Sequence, residues 1–331
     1  MRPLRVGVHI PPPPPQGQPA SIHSPGIGCL TVTAQKALMD QIQQLDRVTL
    51  YTDVNFRASF ILNGKVYVDS LCLNDLDILF WYCEVDRSVG SYDLEVLHTL
   101  ASDLKVVINP RGFEVGLEKY ASHLALKRAG VSVADTVLVD YNNLRYLKDL
   151  LDEWGYAVLK PRRGGYGKGV TLLGSFAALR DTIEYIYSTA RGTPDKAYLI
   201  ERFYPNGSDV WTSTTIINGE LVYGYRKRDN RFVDFGNGFV KVYDALEIGG
   251  EVDSCEVPPS YRVEALKAYE AIGAEVIGFD MITHCSQPII VDESTFPGYY
   301  DDLFAETGQG PADAFYRLIV VEIDKLRHRC E

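Results

Sequence analysis

The sequence predicts an α/β protein made of α+β lobes. Three observations predict it: a strand, helix, strand run at the N-terminus, a glycine-rich segment between two strand patterns in the middle, and C-terminal hairpins marked by Asn-Gly turns. The chain has 331 residues, 46% apolar and 23% charged, more than one small core usually holds, so two or three lobes are expected. Forty-four acidic against 33 basic residues leave a net charge of −11. Such a surface repels a phosphate backbone unless a cleft is locally basic, which argues against nucleic acid as a partner.

In chain order, LRVGVHI reads as a buried first strand, and TVTAQKALMDQIQQL at 31–45 and RVTLY at 47–51 as an amphipathic helix and a second strand. Between the first strand and that helix lies PPPPPQGQPASIHSPGIG at 11–28, either a solvated connection or a substrate loop. Five prolines interrupt the apolar start too early for a signal peptide, and no stretch approaches the ~18 apolar residues of a membrane span. ASFILNGKVYVDS is a hairpin turning at Asn63-Gly64. LDILFWY, a helix near 91–101 and KVVINP at 105–110 complete the first lobe, which Asn109-Pro110 ends.

A second unit opens with a helix over 116–129, closed at Ala129-Gly130, followed by a strand, a helix (YNNLRYLKDLLDEW), the strand YAVLKP, the turn RRGGYGKG and the strand VTLLG. SFAALRDTIEYIYS is a helix and AYLIERF a strand. From Asp209 the pattern turns antiparallel, with Asn218-Gly219 between two strands. A helix, the hairpin EVIGFDMIT/PIIVDE and a last amphipathic helix at 311–328 finish the chain. The six scattered cysteines show no metal or disulfide spacing, as expected of a cytoplasmic protein with reduced thiols.

Chemistry concentrates in two places. In Arg162–Gly169 four glycines let the backbone approach a ligand closely, with Lys160, Arg162, Arg163 and Lys168 supplying charge for phosphate. Lys168 is followed by Gly169, so this is not a Walker loop, and no GxGxxG follows the first strand. An ordinary hairpin tip explains the glycines but not the cations. The second place is a hairpin whose turn is centred on Ser286, which sets Asp280 opposite Asp292 on one sheet face. Like charges so placed need a cation between them, and Mg²⁺ with phosphate suits oxygen ligands on a sheet. A shifted register leaves both acids merely solvated. Glu293 faces the other way unless a bulge beside Ser294–Pro297 turns it inward. Taken alone, Lys119 is a solvated helical lysine and His123 a helix-surface residue, whereas Arg226 and Arg228 share one strand face and suit an anion jointly. Cys29 and Ser24 lack an evident base partner for nucleophilic catalysis.

From about Asn109 onward, Glu118-Lys119-Tyr120, LKPRRGGYGKGV, LIERF, ELVYGYRKR, GFD and VDESTFPG occur in the order seen in the ATP-grasp superfamily. The chain resembles its carboxylate–amine ligases, in particular bacterial-type glutathione synthetase and the glutamate ligases that extend ribosomal proteins. The resemblance implies an ATP-grasp fold with a pre-ATP-grasp α/β domain at 1–110, a central lobe with a glycine-rich flap at 111–200 and a C-terminal lobe at 201–331. It implies that Lys119 and Lys160 contact the phosphates and adenine side of ATP, that Gly164, Gly165, Tyr166, Gly167, Lys168 and Gly169 form a flap, and that Glu201, Arg202 and Phe203 form the adenine hinge. Asp209 then approaches the ribose, Asp280, Asp292 and Ser294 hold Mg²⁺, and Arg226 or Arg228 stabilises the transferring phosphoryl group.

The implied reaction phosphorylates a carboxylate with ATP; an amine then displaces phosphate to give an amide. Three departures from the pattern stand out: Trp211 in place of an arginine, Asp209 lying farther from the turn than in the relatives, and Ser294 and Asp292 in place of an asparagine and a glutamate. Expected partners are small-molecule or peptide substrates, with a homodimer left open and neither nucleic acid nor membrane. The rival readings are a non-catalytic nucleotide-binding module and a small-molecule kinase.

Overall fold

The computed structural model describes residues 2–11, 30–165, 167, 169–190, 196–206, 211–227, 232–234, 240–242, 252–304, 307–310 and 312–329. The chain begins with β1 (Leu4–His9), α1 (Val32–Gln43) and β2 (Val48–Tyr51). Thr31 caps α1 by accepting from the Ala34 amide, and Ala34, Leu38 and Ile42, four residues apart, make its buried stripe. A small antiparallel sheet follows: β3 (Phe60–Leu62), β4 (Lys65–Val68) and β5 (Leu71–Cys72). Its first turn is Asn63-Gly64 with φ of 50° and 75°, the left-handed pair that a two-residue hairpin demands. Then come β6 (Ile78–Trp81), α2 (Tyr92–Ala101) and β7 (Lys105–Val107). β2, β1, β6 and β7 lie side by side in that order, all parallel.

Asn109-Pro110, expected to end the first lobe, also starts a helix. The Asn109 side chain accepts from the Arg111 amide and Pro110 takes the first turn of α3 (Pro110–Leu117), where its missing N–H costs nothing. The single helix expected over 116–129 is likewise two. Glu118 sits at φ −100° and ψ 107°, breaks the run, and caps α4 (Lys119–Arg128) by accepting from the amides of Tyr120 and Ala121.

Next come β8 (Thr136–Asp140), a 3₁₀ turn at Tyr141–Tyr146, α5 (Leu147–Trp154), β9 (Ala157–Lys160), β10 (Thr171–Leu173), α6 (Phe176–Thr189) and β11 (Ala197–Arg202). Their sheet is antiparallel in the order β10-β9-β11-β8, and Leu147, Leu151, Leu179 and Ile183 from the helices are buried in the core cluster it shares with them.

The last part holds β12 (Thr212–Ile217), β13 (Glu220–Lys227), the pair β14 (Phe232–Asp234) and β15 (Val240–Val242), β16 (Val252–Cys255), α7 (Pro259–Ile272), β17 (Val276–His284) and β18 (Gln287–Ser294). Five of these strands form an antiparallel sheet, β16-β13-β12-β17-β18, with β12 at its centre and β18 at its edge. Ala265, Ala268 and Ile272 of α7 pack with Ile216, Ile277, Phe279, Met281 and Ile290 of the sheet. After α8 (Asp301–Phe304), α9 (Asp313–Arg329) packs against α1, β6, β7 and β12, so one apolar core joins the parallel sheet to the five-stranded one. No helix among the described residues is long and apolar enough to cross a membrane.

Candidate active site

The β17–β18 hairpin turns at Cys285 and Ser286, both left-handed at φ 49° and 62°. Its centre is therefore half a residue earlier than the sequence suggested. From His284↔Gln287 to Met281↔Ile290 the pairing follows that turn and would set Asp280 against Val291. One extra residue on β18 then shifts the register, and Asp280 faces Asp292 after all. The expected juxtaposition holds; the bulge makes it, not the turn alone. Across the sheet, cross-strand partners extend the row: Asp280 pairs with Ser213, Ser213 with Tyr225, and Tyr225 with Ser254. Partners share a face, so these five side chains line one side of the sheet.

Lys119 is far from a solvated helical lysine. As the first residue of α4 its side chain is 9% exposed and its ammonium pairs with Asp292 at the sheet edge. Burial alone would lower its pKa, but the charges of Asp292 and Glu293 outweigh burial and raise it, so Lys119 stays protonated. Its charge offsets that of Asp292. Lys160 closes β9 and is equally buried; its Nζ lies 2.8 Å from Glu201 Oε1 and donates to the Val291 carbonyl at 2.5 Å. Burial raises the pKa of Glu201, with Lys160 opposing.

Lys119, Lys160, Glu201, Asp292 and Glu293 line one cleft, whose walls include Leu126, Val133, Leu199 and Ile290. His123 lines it too, with Nδ1 3.2 Å from the Thr136 hydroxyl. Burial, aided by Lys127 and Lys160, lowers its pKa to about 4, so it is a neutral cleft residue and not the surface histidine expected. Glu293 has one carboxylate oxygen buried without a hydrogen-bond partner among the described residues, and its pKa is raised by burial and by Asp292 against the pull of Lys119. Apolar walls, two buried ammonium groups and carboxylates on a rigid hairpin fit a nucleotide with a divalent cation.

The start of the glycine-rich segment is tied down. Arg162 Nε donates to Glu118 Oε1 at 2.8 Å, and the Lys119 amide donates to the Arg162 carbonyl at 2.9 Å. Gly165 rests on Arg87, where a Cβ would come within 2.4 Å of the guanidinium, and Gly169 is left-handed at φ 74° with Pro161 against it. Glu201 and Arg202 end β11, and the Phe203 amide donates to the Tyr156 carbonyl at 3.2 Å. Ser294 Oγ accepts from the Phe296 amide at 3.3 Å, an ordinary turn contact. Arg226 is not brought to the carboxylates. It pairs with Asp253 on the face opposite Tyr225 and lies near Cys255 and Tyr261, because adjacent strand residues alternate sides. Tyr166, Lys168, Asp209 and Arg228 lie outside the described residues, as does most of the proline-rich loop. Trp211, in the arginine's place, packs beside Ala134, Tyr204, Ile282 and Ile289.

No protein-family model matches the chain. A D-alanine–D-alanine ligase from Bacillus anthracis, complexed with ATP, superposes with a TM-score of 0.64 at 16% identity, covering 99% of this chain and 100% of that one. A RimK domain ATP-grasp protein from Sphaerobacter thermophilus gives 0.62 at 14% identity, over 95% and 98%. The chain has the ATP-grasp fold. By sequence this ATP-grasp chain is 24% identical over 204 residues to a probable α-L-glutamate ligase of Syntrophotalea carbinolica, spanning 61% of this chain and 62% of that relative. With a probable α-L-glutamate ligase 1 of Shewanella amazonensis the likeness is 23% over 307 residues, 90% of this chain and 91% of the other. The resemblance to carboxylate–amine ligases read from short motifs thus extends along most of the ATP-grasp chain.

The motifs singled out neither His123 nor Ser213, whereas Glu293 lines the cleft beside a bulge on β18, the condition under which the sequence turned it inward. A signal existed for Ser213: Thr212–Thr215 is a run of four hydroxyl residues inside a strand, all at most 2% exposed.

Proposed function

We propose that the protein is an ATP-dependent carbon–nitrogen ligase that activates the carboxylate of an amino acid or peptide as an acyl phosphate and joins it to an amine. The observation that carries this reading is the convergence of buried Lys119 and Lys160 on the hairpin that holds Asp292, with Asp280 across the strand. In the resting protein Asp292, Glu201 and the Val291 carbonyl occupy the two ammonium groups. A polyphosphate entering the cleft replaces those partners with phosphoryl oxygens, which are stronger acceptors for a buried cation. Asp280 and Asp292, with Ser294 or Glu293 beside them, are the residues to hold Mg²⁺, which when bound supplies charge neutralisation for phosphoryl transfer. Residues 164–169 close over the phosphates, Glu201–Phe203 present the backbone edge for adenine, and Asp209 takes the ribose. The apolar walls from Leu126, Leu199 and Ile290 exclude water from the nucleotide. The arginine for the transferring group is Arg226 or Arg228, of which Arg226 stands on the face opposite the carboxylates. Residues 1–110 carry the substrate side, 111–200 the flap and 201–331 the metal strands, in a cytoplasmic enzyme.

Product analysis tests the reading. Amide formed in the presence of ATP should be matched one for one by ADP and phosphate, and ¹⁸O placed in the substrate carboxylate should appear in the phosphate. AMP with pyrophosphate, or unlabelled phosphate during amide synthesis, would overturn it. ADP release without any amine would favour the kinase reading.

A further inference from the structure

The polar row on the five-stranded sheet contains a residue that neither metal nor nucleotide needs to touch. Ser213 lies in β12, the central strand, and is 1% exposed. A serine there gains little from the sheet itself, since small hydroxyl side chains pack less well in a central strand than valine or isoleucine. A buried hydroxyl is also costly without a partner. Its partner is unusual for this strand. Thr214, on the other face, donates to the Phe279 carbonyl at 3.3 Å, and Thr215 to the Gly298 carbonyl at 3.4 Å, so these hydroxyls serve backbone. Ser213 Oγ instead donates to Asp280 Oδ1 at 2.5 Å.

The order of strands gives that bond a direction. β12 flanks β17 on the side opposite β18, so Ser213 holds Asp280 from the side away from Asp292. That bond anchors one oxygen of Asp280 against the repulsion of Asp292. Tyr225, buried beyond Ser213 in the same row, is hydrogen-bonded to the Ser213 hydroxyl from the other side.

We propose that Ser213 is a positioning residue for Asp280, fixing that carboxylate so that the gap between Asp280 and Asp292 is shaped for a divalent cation. The inference rests on the proposed assignment of Asp280 and Asp292 to the metal. A hydrogen-bond donor behind a metal ligand is commonly worth ten- to a hundredfold in metal affinity.

The experiment is a titration of the full chain with Mn²⁺ in the presence of ADP, following free Mn²⁺ by electron paramagnetic resonance. Wild type is compared with Ser213→Ala, Ser213→Thr, Thr214→Val and Asp280→Asn, each checked for folding by thermal melting. Ser213→Ala should bind Mn²⁺ about tenfold more weakly, Ser213→Thr should recover to within about twofold, and Thr214→Val should bind as wild type. Should Ser213→Ala not fold, Ser213→Cys, which keeps the volume but is a weak donor, gives the same readout. Wild-type binding by Ser213→Ala, or equal losses in Ser213→Ala and Thr214→Val, would overturn the positioning role while Asp280→Asn still loses the metal. Retention of Mn²⁺ by Asp280→Asn would instead overturn the metal assignment beneath it.

Discussion

Two strand segments in this protein are equally buried and opposite in chemistry. Ile78–Trp81 of β6 and Thr212–Thr215 of β12 are all at most 2% exposed. The first is apolar throughout and flanked by parallel strands; its one side-chain donor, Trp81 Nε1, reaches the Ile108 carbonyl at 2.9 Å. The second is a run of hydroxyls in an antiparallel sheet, each of the middle two with a different kind of acceptor. Burial in β6 contributes stability through area removed from water, whereas burial in β12 places polar groups where a carboxylate can be oriented. Change in β6 should therefore be read in stability, and change in and around β12 in turnover.

The largest expected effect is on the metal strands. Asp280→Asn or Asp292→Asn should lower turnover about a thousandfold, ~4 kcal/mol in the barrier; the thermal midpoint of Asp280→Asn should stay near wild type because like-charge repulsion is relieved, whereas Asp292→Asn, which takes a carboxylate from the buried Lys119 ammonium, should melt lower. Turnover within a few-fold of wild type in both variants, with Mg²⁺ limiting, would break the comparison at its functional end.

Phe80→Ala tests the other end. Phe80 is fully buried and packs on Phe315 of α9 at a ring separation of 5.4 Å. Its loss should cost about 3 to 5 kcal/mol in urea unfolding, with kcat per folded molecule little changed. A fall in kcat without a fall in stability would show that β6 shares in the chemistry.

Smaller, and specific to the flap, is a ligand effect on proteolysis. Tryptic cleavage after Arg162, Arg163 or Lys168 should slow about tenfold with ATP and Mg²⁺, since closure hides these bonds. Equal rates with and without nucleotide would count against a closing flap.

The smallest effect concerns pH. Burial raises the pKa of Glu293 from 4.5 to about 7, so the fold favours its protonated form. That contribution is complete below about pH 4.5 and is lost as pH rises through about 7. Glu293→Gln keeps a neutral amide throughout, so its melting midpoint should gain on wild type by a few degrees between pH 5 and pH 8. Parallel pH curves for the two proteins would remove Glu293 from the desolvated part of the cleft.

Much of this was legible in local sequence. Asn63-Gly64 and Asn218-Gly219 place left-handed residues where two-residue turns need them, and both turns are there. The helix that starts at Asn109-Pro110 was less legible, because the pair that ends a strand also suits a helix start; in the structure the Glu275 carboxylate accepts from the Asn109 amide at 2.6 Å. The break at Glu118 was hidden for a related reason. Its helical pattern is continuous, but its carboxylate is worth more as a cap for α4 and an acceptor for Arg162 than as one more turn.

What the sequence by itself determined is whatever depends on neighbours in the chain: the two-residue turns, the caps, the glycine-rich link between β9 and β10, and the alternation that puts Asp280 and Asp292 on one hairpin. What the tertiary structure decided is every property that depends on dielectric and on distant charge. Lys119 and Asp292 are 173 residues apart, as are no groups that a local pattern can relate. Whether that lysine is solvated or buried and whether His123 is neutral follow from how α4, β11 and the edge of β18 pack around one cleft. Removal of water there changes the energy of a charge by far more than any local propensity, so packing, and not periodicity, sets which residues can do chemistry.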